Sequence, residues 1–287
     1  MESYELLAPA KVNIGLDVIK RREDGYHEVD MIMQTISLFD KIAIKKTSKA
    51  GIHLSANKNF LPVDERNIAY KAAKLLIQDC GITDGVDITI EKNIPVAAGM
   101  AGGSTDAAAV LMGMNELFAL GLSEEKLMEK GAALGADVPF CIMRGTARAT
   151  GIGTTLTRIS PMPNCSVLIA KPNFSVSTKW VYEHLKLTAQ TKHPDIEKLI
   201  SEIEKKDILT IAGYMENVLE SVTVPAYPKI AEIRKQMTEC GAVKAMMSGS
   251  GPTVFGLFTQ EETAKKALRL MREYQPDAEV CLAELTA

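Results

Sequence analysis

The stretch Pro95-Val-Ala-Ala-Gly-Met-Ala-Gly-Gly-Ser-Thr-Asp-Ala-Ala-Ala109 joins a strand pattern to a helix pattern through a glycine-rich turn. Upstream, residues 86–90 alternate between apolar and polar, which is typical of a half-buried strand, and Pro95 is expected to end it. Downstream, apolar residues recur at helical spacing, and Ser104 or Thr105 is placed to cap the helix. The sequence therefore predicts a strand, a turn and a helix in immediate succession.

The glycines of this turn favour phosphate binding. Gly99, Gly102 and Gly103 can adopt positive φ and carry no Cβ, so several backbone N–H groups can converge on one anion at the positive end of the helix. The alternative is a connection that needs glycine only for tight packing, which an isolated glycine pair would favour. Three glycines in five residues, followed by Ser-Thr, favour an anion, and a triphosphate fits.

Two common nucleotide-binding motifs are absent. The Gly-Lys-Ser/Thr ending of a P-loop is missing, since no lysine follows the glycines until Lys126. Gly151-Ile-Gly153 lacks the third glycine of the dinucleotide-binding motif. We therefore expect the positive charge for a bound phosphate to come from elsewhere in the chain.

The stretch resembles the central motif of the GHMP kinases, small-molecule kinases in which a proline, a glycine-rich loop and a helix start bind the phosphates of ATP. Three more segments are similar to family elements, and the similarity spans nearly the whole chain: Ala8-Pro-Ala-Lys-Val-Asn13 with Asp24-Gly-Tyr-His27, Leu134-Gly-Ala-Asp-Val-Pro-Phe140, and Met247-Ser-Gly-Ser-Gly-Pro-Thr253. One departure is visible. The family loop commonly reads Gly-Leu-Gly-Gly-Gly, whereas Met100 and Ala101 follow Gly99 here.

The fold class implied is α+β, in the two-domain GHMP kinase arrangement. Residues 1–160 are expected to form a ribosomal-protein-S5-like N-terminal domain with the ATP loop and the catalytic residues, and residues 161–287 a ferredoxin-like C-terminal domain. The boundary is placed where the pattern loosens, at 154–164. The resemblance supplies the names of these domains, while the residues themselves predict a strand-rich start and a second half of mixed strands and helices.

The expected elements follow from periodicity and turn residues. Strands are expected at 4–8, 12–20, 29–37, 41–46, 166–170, 243–247, 253–258 and 279–285, with breaks at Pro9 and at the 22–25 turn. Helices are expected at 67–79, from 104, after Ser123, and at 178–185, 195–205, 228–240 and 261–274.

Composition limits the possible partners. With 287 residues, 46% hydrophobic content and a net charge of −3, the chain has material for a packed core but no surplus of cations for nucleic acid. The longest apolar run, 107–114, is far too short to cross a bilayer, and the start of the chain is acidic, so we expect a cytoplasmic protein. The expected assembly is a monomer or a weak homodimer. Five scattered cysteines are expected to be reduced core thiols, and the four histidines show no metal spacing.

Asp137 and Lys11 are the candidate catalytic residues. Asp137 follows an apolar helix in a turn of small residues, and on local sequence a role in capping is about as probable as a role in chemistry. Lys11 lies in an extended apolar segment, where an outward, solvated lysine is the simpler expectation. The resemblance assigns the proton acceptor to Asp137 and its charge partner to Lys11.

The resemblance also implies the binding residues. ATP is the expected co-substrate, with Mg²⁺ carried on the nucleotide and no dedicated protein metal site. The expected contacts to ATP are Pro95, Val96, Ala97, Ala98, Gly99, Met100, Ala101, Gly102, Gly103, Ser104, Thr105 and Asn67. Ser104 and Thr105 are expected to contact phosphate oxygens or the Mg²⁺, and Asn67 either contacts the adenine or caps a helix. For Gly249–Gly251, a hairpin turn is as probable as a substrate contact.

The resemblance further implies an acceptor that is a cytidine diphosphate sugar alcohol, contacted by Asn13, Tyr26, His27 and Tyr182. Tyr26 offers a stacking face and His27 a polar edge for a cytosine, with Tyr182 a candidate for the opposite face. The alternative for Tyr26 is a hairpin end folded over the core. Two other functions stay open: a GHMP kinase for homoserine or mevalonate, and a catalytically silent nucleotide-binding regulator. Lys11 and Asp137 argue against the regulator, because nucleotide binding alone requires neither.

Overall fold

The structure, a computed structural model, describes residues 2–286. Its strands are β1 (Ser3–Arg21), β2 (His27–Thr47), β3 (Ile52–Ala56), β4 (Gly85–Glu91), β5 (Thr146–Gly151), β6 (Thr155–Arg158), β7 (Ser166–Lys171), β8 (Lys244–Met247), β9 (Val254–Phe258) and β10 (Glu279–Glu284). Its helices are α1 (Ile68–Cys80), α2 (Gly102–Leu117), α3 (Glu124–Ala132), α4 (Val138–Met143), α5 (Thr178–His184), α6 (Ile196–Lys205), α7 (Ile208–Tyr214), α8 (Glu220–Ala226), α9 (Lys229–Glu239) and α10 (Glu261–Tyr274). The expected α+β composition is confirmed.

The chain forms two compact units that alternate along the sequence. The first comprises residues up to Ala10, Leu38–Val96 and Ala101–Arg144. The second comprises Lys11–Ser37, Ala97–Met100 and the chain from Gly145 onward. The domain boundary between residues 160 and 161 stays a prediction.

In the first unit, helices cover a small sheet. β4 pairs antiparallel with the second half of β2, from Lys41 opposite Glu91 to Thr47 opposite Gly85, and β3 lies parallel to β4. The facing sides of α1 and α2 carry buried alanines, Ala69, Ala72 and Ala73 on α1 and 107–109 on α2. Small side chains let the two helices pack closely, which fixes the start of α2 relative to β4.

The second unit contains an antiparallel sheet in the order β10-β7-β9-β8. Because α9 lies between β7 and β8 in the chain, and α10 between β9 and β10, this order is that of a ferredoxin-like fold. In the same unit, the first half of β2 pairs with β5, from Val29 opposite Gly151 to Gln34 opposite Thr146, and β5 pairs with β6. The predicted elements of the second half of the chain are confirmed within one or two residues.

Four local predictions are wrong. The strands expected at 29–37 and 41–46 are one continuous strand, β2. β1 runs through Pro9 without a break. Among the strands of residues 2–286 it pairs with β2 alone, and a proline is tolerated where its missing N–H faces no partner strand. β4 ends at Glu91, before Pro95. Cys80 is exposed rather than a core thiol, because it occupies the last turn of α1, away from that helix's buried face.

Candidate active site

The glycine-rich turn lies between β4 and α2 and is bent at alternate residues. Ala97, Gly99 and Ala101 have positive φ, of 52°, 71° and 57°. Gly102 and Gly103 already have helical backbone. The turn is therefore the strained connection that the sequence predicts, but two alanines take positions expected of glycines.

α2 begins at Gly102, earlier than predicted. Its N-cap residue is Ala101, whose side chain cannot accept a hydrogen bond, so the prediction that Ser104 or Thr105 caps this helix is wrong. Both lie inside the first turn, where the N–H of Thr105 donates to Ala101 O at 2.9 Å. No side chain caps this helix start, as expected of a place where backbone N–H groups receive an anion.

Neither Gly102 nor Gly103 has positive φ, and an added Cβ would be crowded at Gly102 only. A Cβ on Gly102 would lie 3.1 Å from Lys92 Nζ and 3.2 Å from Ile94 Cγ2. A Cβ on Gly103 would meet only Ile68 Cγ2, at 3.4 Å, and Gly103 is exposed. Gly103 therefore leaves the helix start open to a ligand, whereas Gly102 makes room for a lysine.

The hairpin turn at 248–251 holds the middle of the glycine-rich turn. Ser248 N–H donates to Thr253 O across the β8–β9 hairpin at 2.9 Å, which confirms the hairpin interpretation of Gly249–Gly251. Ser248 Oγ donates to Gly99 O at 2.9 Å. A Cβ on Gly99 would fall well inside van der Waals contact with Ser248 O, so only glycine fits there. A role of Gly249–Gly251 in contacting substrate stays a prediction.

Lys11 is buried, contrary to the expectation of a solvated lysine from its local sequence. It is 4% exposed, and its Nζ donates to Asn13 Oδ1 at 2.7 Å. Asn13 is 0% exposed and donates through Nδ2 to Met31 Sδ at 3.3 Å. A buried ammonium is costly unless polar groups surround it, and Asn13 Oδ1 is one such group.

Asp137 occupies the residue before α4 and does not cap it. Its backbone is helical, with φ −82° and ψ −14°, its side chain makes no capping hydrogen bond, and its carbonyl accepts from Cys141 N–H at 3.1 Å. The capping alternative is therefore wrong. The side chain is half-buried in the first unit, whereas Lys11 belongs to the second, so their pairing stays a prediction.

His27 and Tyr182 meet in the second unit. Their ring centroids are 5.0 Å apart with the planes inclined by 40°. Burial, and then the positive charge of Arg21, lower the pKa of His27, which keeps the ring neutral with one donor and one acceptor nitrogen. Tyr26 is 64% exposed, so the alternative in which it folds over the core is wrong.

Asn67 caps α1. Its Oδ1 accepts from Ala69 N–H at 2.9 Å, and its Nδ2 donates to Pro62 O at 2.8 Å. The capping interpretation is confirmed, and both polar ends of the side chain have protein partners. A direct contact with adenine stays a prediction.

A buried cluster that the sequence analysis missed lies under the glycine-rich turn. Lys92 Nζ donates to Asp40 Oδ2 at 2.6 Å, to Asp106 Oδ2 at 2.6 Å and to Gly102 O at 2.8 Å. Asp40 Oδ1 accepts from the N–H groups of Asn93 and Ile94 at 2.6 and 2.8 Å. The cluster therefore joins the chain before the turn to the chain after it.

If Asp40 and Asp106 were both ionised, this cluster would hold two negative charges and the single positive charge of Lys92. Burial raises the pKa of Asp106 well above its usual range, the attraction of Lys92 opposes this, and the charge of Asp40 adds to it. A neutral Asp106 leaves one ammonium and one carboxylate. The alternating pattern of β4 could have predicted that Lys92 is buried, because residues 86, 88 and 90 face the core and position 92 is the next on that side.

Thr105 Oγ1 is buried, and within residues 2–286 it has no hydrogen-bond partner. A buried hydroxyl without a partner is uncommon and suggests a ligand or a water nearby. Over the same residues, no group of three or more His, Cys, Asp or Glu side chains could hold a metal ion. No helix in this part of the chain is long and apolar enough to cross a membrane.

Comparisons with known proteins match this chain almost end to end. Residues 67–145 match the model of the GHMP kinases N terminal domain, and residues 191–277 match that of the GHMP kinases C terminal. A "4-diphosphocytidyl-2-C-methyl-D-erythritol kinase" of Lachnospira eligens is 52% identical over 273 residues, which is 95% of each chain.

Solved structures of GHMP kinases also superimpose on this chain. A crystal structure of "4-(cytidine 5'-diphospho)-2C-methyl-D-erythritol kinase" superimposes with a TM-score of 0.86 at 32% identity, covering 99% of this chain and 100% of the other. A homoserine kinase of Cytophaga hutchinsonii superimposes with a TM-score of 0.81 at 19% identity, covering 100% of this chain and 95% of the other. At that identity the second likeness concerns the fold alone.

Proposed function

The chain belongs to the GHMP kinase family, and from that premise we propose that it transfers the γ-phosphoryl group of ATP to the 2-hydroxyl of 4-diphosphocytidyl-2-C-methyl-D-erythritol, a step in isoprenoid precursor synthesis. The observation that carries this proposal is the 52% identity over 95% of the chain to a relative named for that acceptor. The homoserine kinase shares the fold at only 19% identity, which favours the cytidyl acceptor over homoserine.

Asp137 and Lys11 perform the transfer. The Asp137 carboxylate accepts the proton of the 2-hydroxyl as its oxygen attacks the γ-phosphorus, and the bond to the bridging oxygen breaks to release ADP. The Lys11 ammonium serves as the charge partner of Asp137 and offsets negative charge on the transferring group. Phosphoryl transfer requires mainly alignment and charge compensation, and these two groups contribute to both. The burial of Lys11 and the absence of a cap by Asp137 support these roles.

ATP binds along Pro95–Thr105. The family uses ATP as the phosphate donor, and the uncapped start of α2 offers its N–H groups to the phosphates. The exposed Gly103 supports an approach of phosphate at that point. Asn67, in capping α1, shapes the adenine end of this site.

Mg²⁺ arrives on the nucleotide. Within the described residues there is no cluster of carboxylates to hold it, and Mg²⁺ commonly keeps several waters and binds substrate phosphates. The hydroxyls of Ser104 and Thr105 lie on the first turn of α2, and the lack of a partner for Thr105 Oγ1 fits a contact with a phosphate oxygen or the ion's shell. When bound, the ion offsets charge on the phosphates.

The cytidine of the acceptor binds at Tyr26, His27 and Tyr182. The exposed Tyr26 ring offers a stacking face, and the neutral His27 ring can read the polar edge of a cytosine. Because the Tyr182 ring lies against His27, these two residues form one wall for the base. Asn13, which fixes Lys11, orients the methylerythritol end. We further propose a cytoplasmic monomer or weak homodimer with no nucleic-acid partner.

The test is steady-state ADP release with four acceptors: the cytidyl substrate, free methylerythritol, homoserine and mevalonate. We expect kcat/KM for the cytidyl substrate to exceed the others by at least about 10²-fold, as expected when several binding contacts are lost. The Asp137→Asn enzyme serves as the background control. Equal activity towards homoserine or mevalonate would show another GHMP kinase, and no ADP release with any acceptor, despite nucleotide binding, would favour the silent regulator.

A further inference from the structure

A cavity of about 460 Å³ lies in the second unit, and its lining residues are not among those proposed for ATP or the acceptor. Its walls are the chain after α5, the segment 215–221 that leads into α8, and residues of α9 and β8. Its volume falls within the range of small-molecule sites. It is therefore large enough for a ligand of its own.

The charged side chains that line this cavity are mostly cationic. The cations are Lys186, Lys192, Arg234 and Lys244, and the anions are Glu216 and Glu220. Lys192 pairs with Glu216, and Arg234 pairs with Glu220 at 2.8 Å. Each carboxylate is thus already engaged by one cation.

Glu220 is further occupied by the backbone. Its Oε1 accepts from Met247 N–H at 2.7 Å, while Oε2 accepts from Arg234. It is therefore a fixed structural group of the wall rather than a carboxylate that could turn towards Lys244.

Lys244 and Lys186 are the two cations left over. Over residues 2–286 neither makes an ion pair with a carboxylate. Lys244 is half-buried, and burial is the main influence that lowers its pKa, against the attraction of Glu216 and Glu220. Lys186 is exposed and lies among the lining residues. A partly desolvated ammonium in a cavity is stabilised by an anion that enters it.

We propose that this cavity is a second anion-binding site, for a small molecule that carries a phosphate or diphosphate group. Lys244 and Lys186 pair with the anion, and the hydroxyl of Thr188, which also lines the cavity, can donate to its oxygens.

The site is joined to the glycine-rich turn by direct hydrogen bonds. Asn217, which lines the cavity, donates through Nδ2 to Met247 O at 2.9 Å and to Gly249 O at 2.8 Å. Ser248, between them, donates to Gly99 O. A ligand in the cavity would therefore contact Asn217, which binds the two neighbours of Ser248, the residue that holds the turn.

The test is calorimetric titration of inorganic pyrophosphate, and separately of inorganic phosphate, into enzyme saturated with ADP, so that the glycine-rich turn is already filled. We expect one site in the wild type. The Lys186→Met/Lys244→Met enzyme should bind at least about tenfold more weakly, as expected when two charged contacts are lost. Tighter pyrophosphate than phosphate identifies a diphosphate ligand, and the reverse a monophosphate.

The matched control is Lys235→Met, which removes a lysine on α9 whose side chain is 77% exposed and lies outside the cavity. It should bind as the wild type does. Lys244→Arg keeps the charge and should retain binding, so it remains informative if the double variant fails to fold. No binding to the ADP-saturated wild type at millimolar anion, or equal affinity in the folded double variant, overturns the proposal. Binding is measured without turnover, so this result does not depend on the proposed acceptor or catalytic residues; it rests only on the proposed binding of ADP at the glycine-rich turn.

Discussion

At the scale of single residues, Asp137→Asn tests the proton acceptor. The amide keeps the shape of the carboxylate and loses its basicity, so kcat should fall by about 10²–10⁴ while ATP affinity stays nearly unchanged. The measurements are steady-state ADP release and calorimetric titration with ATP.

Asp195→Asn is the matched control for Asp137, because Asp195 does cap a helix, accepting from Lys198 N–H at 2.9 Å, and asparagine caps equally well. It should turn over as the wild type does. An Asp137→Asn enzyme with turnover within a factor of two of wild type would contradict the assignment.

Tyr26→Ala tests the selection of the cytidine. Loss of a stacking contact worth about 1–3 kcal/mol should raise KM for the cytidyl substrate roughly tenfold or more, and KM for ATP should change little. Phe60→Ala is the control, since Phe60 is another strongly exposed ring, in the first unit. Equal rises in both KM values, or full activity towards free methylerythritol, would mean that this loop does not read the nucleotide.

Asp40→Asn and Asp106→Asn should lower the free energy of unfolding by different amounts, although both carboxyl groups accept hydrogen bonds from Lys92. Asp40→Asn breaks the buried ion pair with Lys92, and breaking such a pair by removing one partner typically costs about 3–5 kcal/mol. Asp106→Asn should cost about 1 kcal/mol or less, the scale of one net hydrogen bond, because a raised pKa already favours the neutral form. Urea unfolding of both variants at pH 7 is the measurement, and equal losses would contradict the neutral Asp106.

At the scale of elements, Gly103→Val tests the start of α2. The added Cβ meets only Ile68 and lies where the phosphates are proposed to approach. ATP affinity should therefore fall at least about tenfold, which corresponds to about 1.4 kcal/mol of binding free energy. Gly213→Val is the control, since Gly213 is a helical glycine in open space on α7. If Gly103→Val binds ATP normally by calorimetry but loses stability relative to the control, the turn is structural and the phosphates bind elsewhere.

The elements that the sequence predicted are those whose periodicity has a single interpretation. α10 and α6 show strong helical spacing, and both were predicted nearly to their ends. β4 alternates cleanly and was predicted as a strand, but its end was placed too late, at Pro95. The start of α2 was misplaced because a positive φ at Ala101 is unfavourable for an alanine and is imposed by tertiary packing, which local sequence does not record.

The elements that the sequence analysis missed lack a local signal. β3, β5 and β6 have 5, 6 and 4 residues, too few for a clear period. α7 has 7 residues, and α8 contains Pro225 with three β-branched residues before it. Such short segments become ordered through neighbouring elements rather than by their own propensity. In the site, the burial of Lys11 was likewise unpredictable from neighbours in sequence alone.

At the scale of the whole molecule, the second unit depends on residues 11–37 from the start of the chain. Leu16 exchanges two backbone hydrogen bonds of 2.9 Å with the Glu216–Val218 segment. Gln34 donates to Thr286 O at 2.6 Å, and Thr286 N–H donates to Thr35 O at 3.0 Å. Gly15 packs against Leu199 so closely that a Cβ would meet its Cδ2 at 2.7 Å. These contacts all cross the predicted boundary between residues 160 and 161 while remaining inside one compact unit.

Residues 161–287 produced alone therefore test that boundary. The fragment loses the four hydrogen bonds just described, each worth about 1 kcal/mol net, together with the packing on Leu199. A loss of about 4 kcal/mol is comparable with the whole stability of many domains, about 5–15 kcal/mol. We expect the fragment to show no cooperative thermal transition by circular dichroism, whereas the full chain unfolds cooperatively. Covalently adding residues 11–37 through a flexible linker should restore part of the transition. A fragment 161–287 that melts cooperatively within a few degrees of the full chain would instead establish residue 160 as a true domain boundary, with the strands from the start of the chain contributing little to the second unit.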